Sequence, residues 1–120
     1  MSILLSPHFT FDELKCPCCG KATMDPRFMI MLESLRVQFD KPIKINSAFR
    51  CPDYNAKLAD HSPTSKHLIG CAADIAVSAS DDRYKLLSLA FNIGFNGIGI
   101  GKNFIHVDSR LDARRVWVYN

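Results

Sequence analysis

The chain has 120 residues, 48% of them hydrophobic, with 15 Lys and Arg against 12 Asp and Glu. That is enough for one compact core and too little for two ordinary domains, so residues 1–120 read as a single domain. The net charge of +3 is spread along the chain and gives no case for a nucleic-acid partner, and no apolar run approaches the roughly 20 residues of a membrane span, which argues against membrane insertion.

The first residues, Met1-Ser2-Ile3-Leu4-Leu5-Ser6-Pro7-His8, lack the basic segment, long apolar core and small-residue cleavage site of a secretory signal, so the chain is expected to be cytoplasmic as synthesised. Phe9 to Leu14 predicts a short helix with Thr10 and Glu13 forming a capping box, and Phe9, Phe11 and Leu14 packing inward. Asp25-Pro26 then opens the main helix, with Asp25 as N-cap, Pro26 at the first position and an end near Phe39. Its expected core side is Phe28, Met29, Met31, Leu32, Leu35 and Val37.

Pro42 to Phe49 alternates at period two, as a half-buried strand does, and Arg50 to Asn55 turns into a short helical segment. A polar loop from Leu58 to Ser65, containing His61, leads to a second strand, Ala72 to Val77, apolar enough to be central. Ser78 to Asp82 is expected to cap another helix, with Tyr84, Leu86, Leu87, Leu89, Ala90 and Phe91 on its core side and Gly94 at its end. Three strand candidates follow closely: Gly97 to Gly101, Asn103 to Asp108 and Val116 to Tyr119. Early helices and late strands with hairpin-length links predict an α+β fold, a mainly antiparallel sheet with helices on one side. The alternating Gly97, Gly99 and Gly101 lack the lysine of a phosphate loop and fit a strand that another backbone or a ligand approaches closely.

The cysteines crowd into Cys16-Pro17-Cys18-Cys19-Gly20, with Cys51 and Cys71 apart. The spacing of Cys16 and Cys19 would suit a structural metal if Cys51 or Cys71 came close, but no second such pair completes the set, and free thiols in a turn are the simpler reading.

The stretch Ser65-Lys66-His67-Leu68-Ile69-Gly70-Cys71-Ala72-Ala73-Asp74, answered by Phe104-Ile105-His106-Val107-Asp108, supplies imidazole, carboxylate and imidazole. Three such ligands leave an open position on a zinc ion, the pattern of a hydrolytic metal site. Gly70 lets the chain turn between His67 in the approach and Asp74 on the strand, and His106 arrives from a neighbouring strand. Strand alternation puts Phe104, His106 and Asp108 on one face, so Asp108 sits near the metal, to orient His106, to serve as general base, or simply to lie beside the ligands. Trp117 and Tyr119 share a face, and the sequence leaves open which one.

These segments, with Ser47-x-x-Arg50-Cys51-Pro52-x-Tyr54-Asn55 upstream, resemble the zinc peptidases of the M15 family. The family includes D-alanyl-D-alanine carboxypeptidases, dipeptidases and phage and bacterial peptidoglycan peptidases, and its metal site and fold are similar to the hedgehog signalling domain. The resemblance runs from about Phe9 to Trp117. It implies Zn2+ held by His67, Asp74 and His106, an Arg50 that contacts the substrate carbonyl or carboxylate and steadies the tetrahedral intermediate, and a Ser65 hydroxyl near the substrate. It implies a monomer that hydrolyses peptidoglycan stem peptides as a DD- or LD-type carboxypeptidase or endopeptidase, in the setting of a phage endolysin or virion-associated lysin.

One position departs from the family. Many members carry Glu or Asp three residues before the last histidine ligand, and this chain has Asn103, an amide that takes no proton at neutral pH. Either another group serves as base, with Asp108 the first candidate, or the domain is a noncatalytic zinc-containing wall-binding or structural module.

Overall fold

The computed structural model describes residues 3–58, 62 and 64–119, so His61 and half of the polar loop around it lie outside the described residues. Two short antiparallel strands, β1 (Leu4–Ser6) and β2 (Phe9–Thr10), lead into α1 (Phe11–Leu14). The capping box is present as expected: Thr10 accepts from the Glu13 amide, and the Glu13 carboxylate accepts from the Thr10 amide. Phe9 and Leu14 are buried, whereas Phe11 is only half-buried.

The main helix, α2 (Pro26–Phe39), starts on Asp25, whose carboxylate accepts from the Phe28 amide at 3.0 Å. Its buried residues Phe28, Leu32, Leu35 and Phe39 follow a three-to-four-residue stripe. Val37 falls off that stripe and is 55% exposed, a correction to its expected core place. β3 (Ile45–Ser47) is shorter than the alternation suggested, and its register shifts between Ile45 and Ser47. The chain then enters α3 (Pro52–Lys57), a single 3₁₀ turn at Lys66–Ile69, and β4 (Ala72–Ala76).

Helix α4 (Ser80–Ile93) is capped by Ala79 with no side-chain bond, so the polar cap expected from Ser78 to Asp82 is not formed. Leu86 and Ala90 are buried, with Leu89 and Ile93 packed beside them on the same stripe. Tyr84 and Phe91, seven residues apart and so on one face, look outward instead of into the core. Gly94 ends the helix in the left-handed region, as read from the sequence.

Strands β5 (Gly97–Ile100), β6 (Phe104–Asp108) and β7 (Arg115–Val118) complete a five-stranded sheet of order β3-β4-β6-β5-β7. All neighbours are antiparallel except β5 and β7, which run parallel. The protein is thus α+β with a mainly antiparallel sheet. One face of that sheet, through Ala73, Ile75, Ile98, Ile105 and Val107, packs on α2 and α4 to form the core. Alternation obliges Asp74, His106 and Asp108 to point from the other face. No helix among the described residues is long and apolar enough to cross a membrane.

Candidate metal centre

Strand register draws a straight row across the second face. Ser47 lies opposite Asp74, Asp74 opposite His106, His106 opposite Gly99, and Gly99 opposite Trp117. Two donors therefore meet because β4 and β6 are adjacent and in that register. The glycine in the row has a steric reason: a Cβ on Gly99 would lie 2.7 Å from the Trp117 and Tyr119 side chains. Without it, Trp117 leans over the strand to within 5.1 Å of the His106 ring. The open question of the C-terminal strand is answered here, since Trp117 and Tyr119 both belong to the donor face, with Phe104 against Tyr119.

His67 arrives from outside the sheet. The 3₁₀ turn that carries it is capped by Ser65, whose Oγ accepts from the His67 amide at 3.3 Å, and ends at Gly70 with φ +72°. A Cβ on Gly70 would strike the Thr23 carbonyl at 2.0 Å, so both the backbone angle and the close approach demand glycine. The turn is stitched to the loop after β3, where the Arg50 amide donates to the His67 carbonyl at 3.2 Å.

The three side chains converge. One oxygen of Asp74, Oδ1, lies 3.3 Å from His67 Nε2 and 3.0 Å from His106 Nδ1, and all three donor atoms fall within 4.8 Å of one another. Donors about 2.1 Å from a tetrahedral ion stand roughly 3.4 Å apart, so the cluster is the right size for zinc. Each imidazole is also held by its far nitrogen. His67 Nδ1 donates to the Ala48 carbonyl at 2.6 Å, and His106 Nε2 donates to Asp108 Oδ2 at 2.7 Å, so that each inward nitrogen presents a lone pair once a metal displaces the proton it shares with Asp74. Nitrogen, oxygen and nitrogen donors with fixed tautomers and a carboxylate between them fit a divalent ion of the zinc type.

Electrostatics support the arrangement. Burial pushes the Asp74 carboxyl up, yet hydrogen bonds from His106 and His67 outweigh it and hold the group well below the ordinary carboxylate range. Burial likewise opposes a charged His106, but its bonds to Asp108 and Asp74 hold its pKa above the ordinary histidine range. Asp108, with 0% of its surface exposed, is also held low: burial is outweighed first by Arg110 and then by His106.

Asp108 is fully committed. Arg110 donates Nε to Oδ1 at 2.9 Å and a terminal nitrogen to Oδ2 at 2.8 Å, and its amide adds a bond to Oδ1 at 3.1 Å. The carboxylate meets His106 at Nε2, whereas Asp74 meets it at Nδ1. Of the roles left open for Asp108, orientation of His106 is the one these bonds match. Arg50 donates to Ser47 at 3.0 Å, to Asn55 at 3.4 Å and to Asp74 Oδ2 at 3.1 Å, so three of its five donors are engaged and it fixes the oxygen of Asp74 that faces away from the imidazoles. Asn103 is exposed in the bend just before β6 and lines a groove with Lys41, Ile75 and Asp82, on the core side of the sheet and away from the donors.

Two participants escaped sequence reasoning. The Ala48 carbonyl is main chain and leaves no sequence trace. Arg110 had a trace in the Asp108-x-Arg110 spacing, which puts both on one extended face. Its guanidinium also lies 5.1 Å over the Trp117 ring, clamping wall and carboxylate together.

A family model for Peptidase M15 matches residues 7–108. The chain belongs to this family. It is a peptidase domain whose substrate is a peptide, and the M15 segment spans the turn of His67 and both strands that carry Asp74 and His106. No curated protein matches the chain.

Proposed function

We propose that this M15 domain, reading residues 1–120 as one unit, is a zinc-dependent hydrolase of peptide bonds in the peptidoglycan stem, with His67, Asp74 and His106 as the metal ligands. The observation that carries the reading is the convergence of two imidazole nitrogens, at 3.0 and 3.3 Å, on one carboxylate oxygen, each imidazole oriented by a second partner. Bound zinc supplies Lewis acidity and lowers the pKa of a coordinated water to about 7.

The protein's own groups do the rest. Arg50 orients Asp74 and keeps two N–H donors for a substrate carboxylate or carbonyl, where a fixed guanidinium steadies developing negative charge. The Ser65 oxygen accepts from the His67 amide, leaving its hydroxyl hydrogen for the substrate. Phe104, Trp117 and Tyr119 wall one side and exclude water from that edge. Asp108 is a positioning residue, acting through His106. The substrate class, a stem peptide with D-amino acids and a free or cross-linked carboxylate, rests on the M15 resemblance, as do action as a monomer and a phage endolysin or virion setting with host wall as target. Incubating the zinc-loaded protein with purified wall should release new amino termini or free terminal residues; intact wall after prolonged incubation would refute the reading.

A noncatalytic wall-binding module is the second reading, favoured by the amide at Asn103. Its test is Asn103→Glu. Because Asn103 points off the donor face, we expect no gain in hydrolysis; a large gain would mark the natural site as disabled.

A further inference from the structure

We propose that Cys16, Cys18, Cys19 and Cys51 form a second, structural zinc site that staples the turn after α1 to the loop bearing Arg50. Cys16 and Cys19 are separated by two residues, a spacing that lets one tight turn present two sulfurs to one ion. Cys51 lies in another loop. It is delivered by the main chain, since the Phe49 amide donates to the Leu14 carbonyl at 3.1 Å and the Cys51 amide to the Cys16 sulfur at 3.4 Å.

The sulfurs of Cys16, Cys19 and Cys51 all lie within 4.8 Å of one another. The Cys16 and Cys51 sulfurs are 3.6 Å apart. A disulfide requires about 2.05 Å, whereas zinc–thiolate bonds of about 2.3 Å in a tetrahedron set neighbouring sulfurs about 3.8 Å apart. The observed separation matches the metal geometry. Cys18, exposed in the same turn, stands outside this three-sulfur cluster but beside the Cys51 thiol, and is the fourth sulfur of the proposal. The Cys16 sulfur accepts the Cys51 amide hydrogen at 3.4 Å, a donor suited to a thiolate ligand. Cys71 stands apart, bonded to the Lys66 carbonyl at 3.7 Å, and takes no part.

Four soft ligands select zinc and close its coordination sphere, so the ion has no place for water or substrate and serves the fold. Its position gives it a target: Cys51 follows Arg50 directly, and metal at the thiols fixes the loop from which Arg50 reaches Asp74. This site is independent of the His67, Asp74 and His106 assignment and stands or falls separately.

The test is cobalt substitution of the full chain, purified under reducing conditions. Two ions per chain and a near-ultraviolet sulfur-to-cobalt charge-transfer band are expected. Cys19→Ser and Cys51→Ser should abolish the band and remove one ion, and Cys19→Ser, at an exposed position, should lower the unfolding temperature by about 10 °C. His67→Ala should keep the band while losing the other ion. Should that variant not fold, alkylation of the natural protein gives the same answer: the four thiols are protected until a zinc chelator is added. A single ion per chain with no sulfur-to-cobalt band, thiols that alkylate equally with and without chelator, or a Cys16–Cys51 disulfide in metal-replete protein would overturn the proposal.

Discussion

The two donor clusters differ in how they are held. The cluster of His67, Asp74 and His106 has two buried imidazoles and a half-buried carboxylate, is built largely on paired strands, and every ring and carboxylate has a second partner behind it. The cysteine cluster joins two loops; Cys16 is buried but Cys18 and Cys19 are exposed. A site that must keep an open position for chemistry cannot let its ligands rearrange to fill it, so rigid strands and oriented imidazoles are needed. A site whose ligands occupy the whole coordination sphere supplies its own rigidity once metal is bound, and loops suffice.

Breaking the strand-borne site should cost most. His67→Ala removes a ligand, and hydrolysis of wall peptides should fall at least about thousandfold, with loss of that metal by elemental analysis. Arg50→Lys keeps the charge but not the planar fork that meets Ser47, Asn55 and Asp74, and kcat/KM should fall by about a hundredfold. Asp108→Asn leaves the three ligands in place but weakens their orientation, so metal affinity should drop roughly tenfold to a hundredfold by competition with a chelator.

The same variant has a pH signature in metal-free protein. The Asp108 carboxyl is held below its unfolded value, so its contribution to stability is complete above about pH 4 and is lost as pH falls toward the depressed folded value. Denaturant unfolding should therefore show a shallower loss of stability between about pH 4 and pH 2 for Asp108→Asn than for the natural chain. An equally steep acid limb would refute the buried-carboxylate account.

A smaller effect probes the room behind the site. A Cβ on Gly97 would lie 2.2 Å from the buried Asp108 carboxylate, so Gly97→Ala should cost about 3 kcal/mol in unfolding free energy, and Gly99→Ala, with its contacts at 2.7 Å on more accessible rings, about 1 kcal/mol. Reversal of that order would mean the aromatic wall, not Asp108, is the stiffer element.

Much of the fold was legible because its signals are local. Thr10 with Glu13, Asp25 with Pro26, and Gly94 each act within one turn of chain, and each formed as read. The errors came where apolar content was taken for burial. Val37, Tyr84 and Phe91 are hydrophobic, but helical phase sends them outward, and only packing of α2 and α4 on one sheet face shows which stripe is covered. At the site, ligand types and the shared face of His106 and Asp108 could be read from alternation. The commitment of both Asp108 oxygens to His106 and Arg110 could not, because it depends on side-chain geometry beyond strand phase.

By itself the sequence determined the two long helices, the strands that carry the donors, the α+β class, the candidate donors and the M15 resemblance, because capping, periodicity and motif spacing are short-range properties written in neighbouring residues; it missed β1, the strand at Phe9–Thr10 and the 3₁₀ turn of His67. Only the tertiary structure decided that Asp108 backs a histidine, that Trp117 belongs to the donor face, and that Cys51 rather than Cys71 joins the cysteine turn. Those outcomes depend on strand order, register and loop contacts between residues far apart in the chain, which no local pattern encodes.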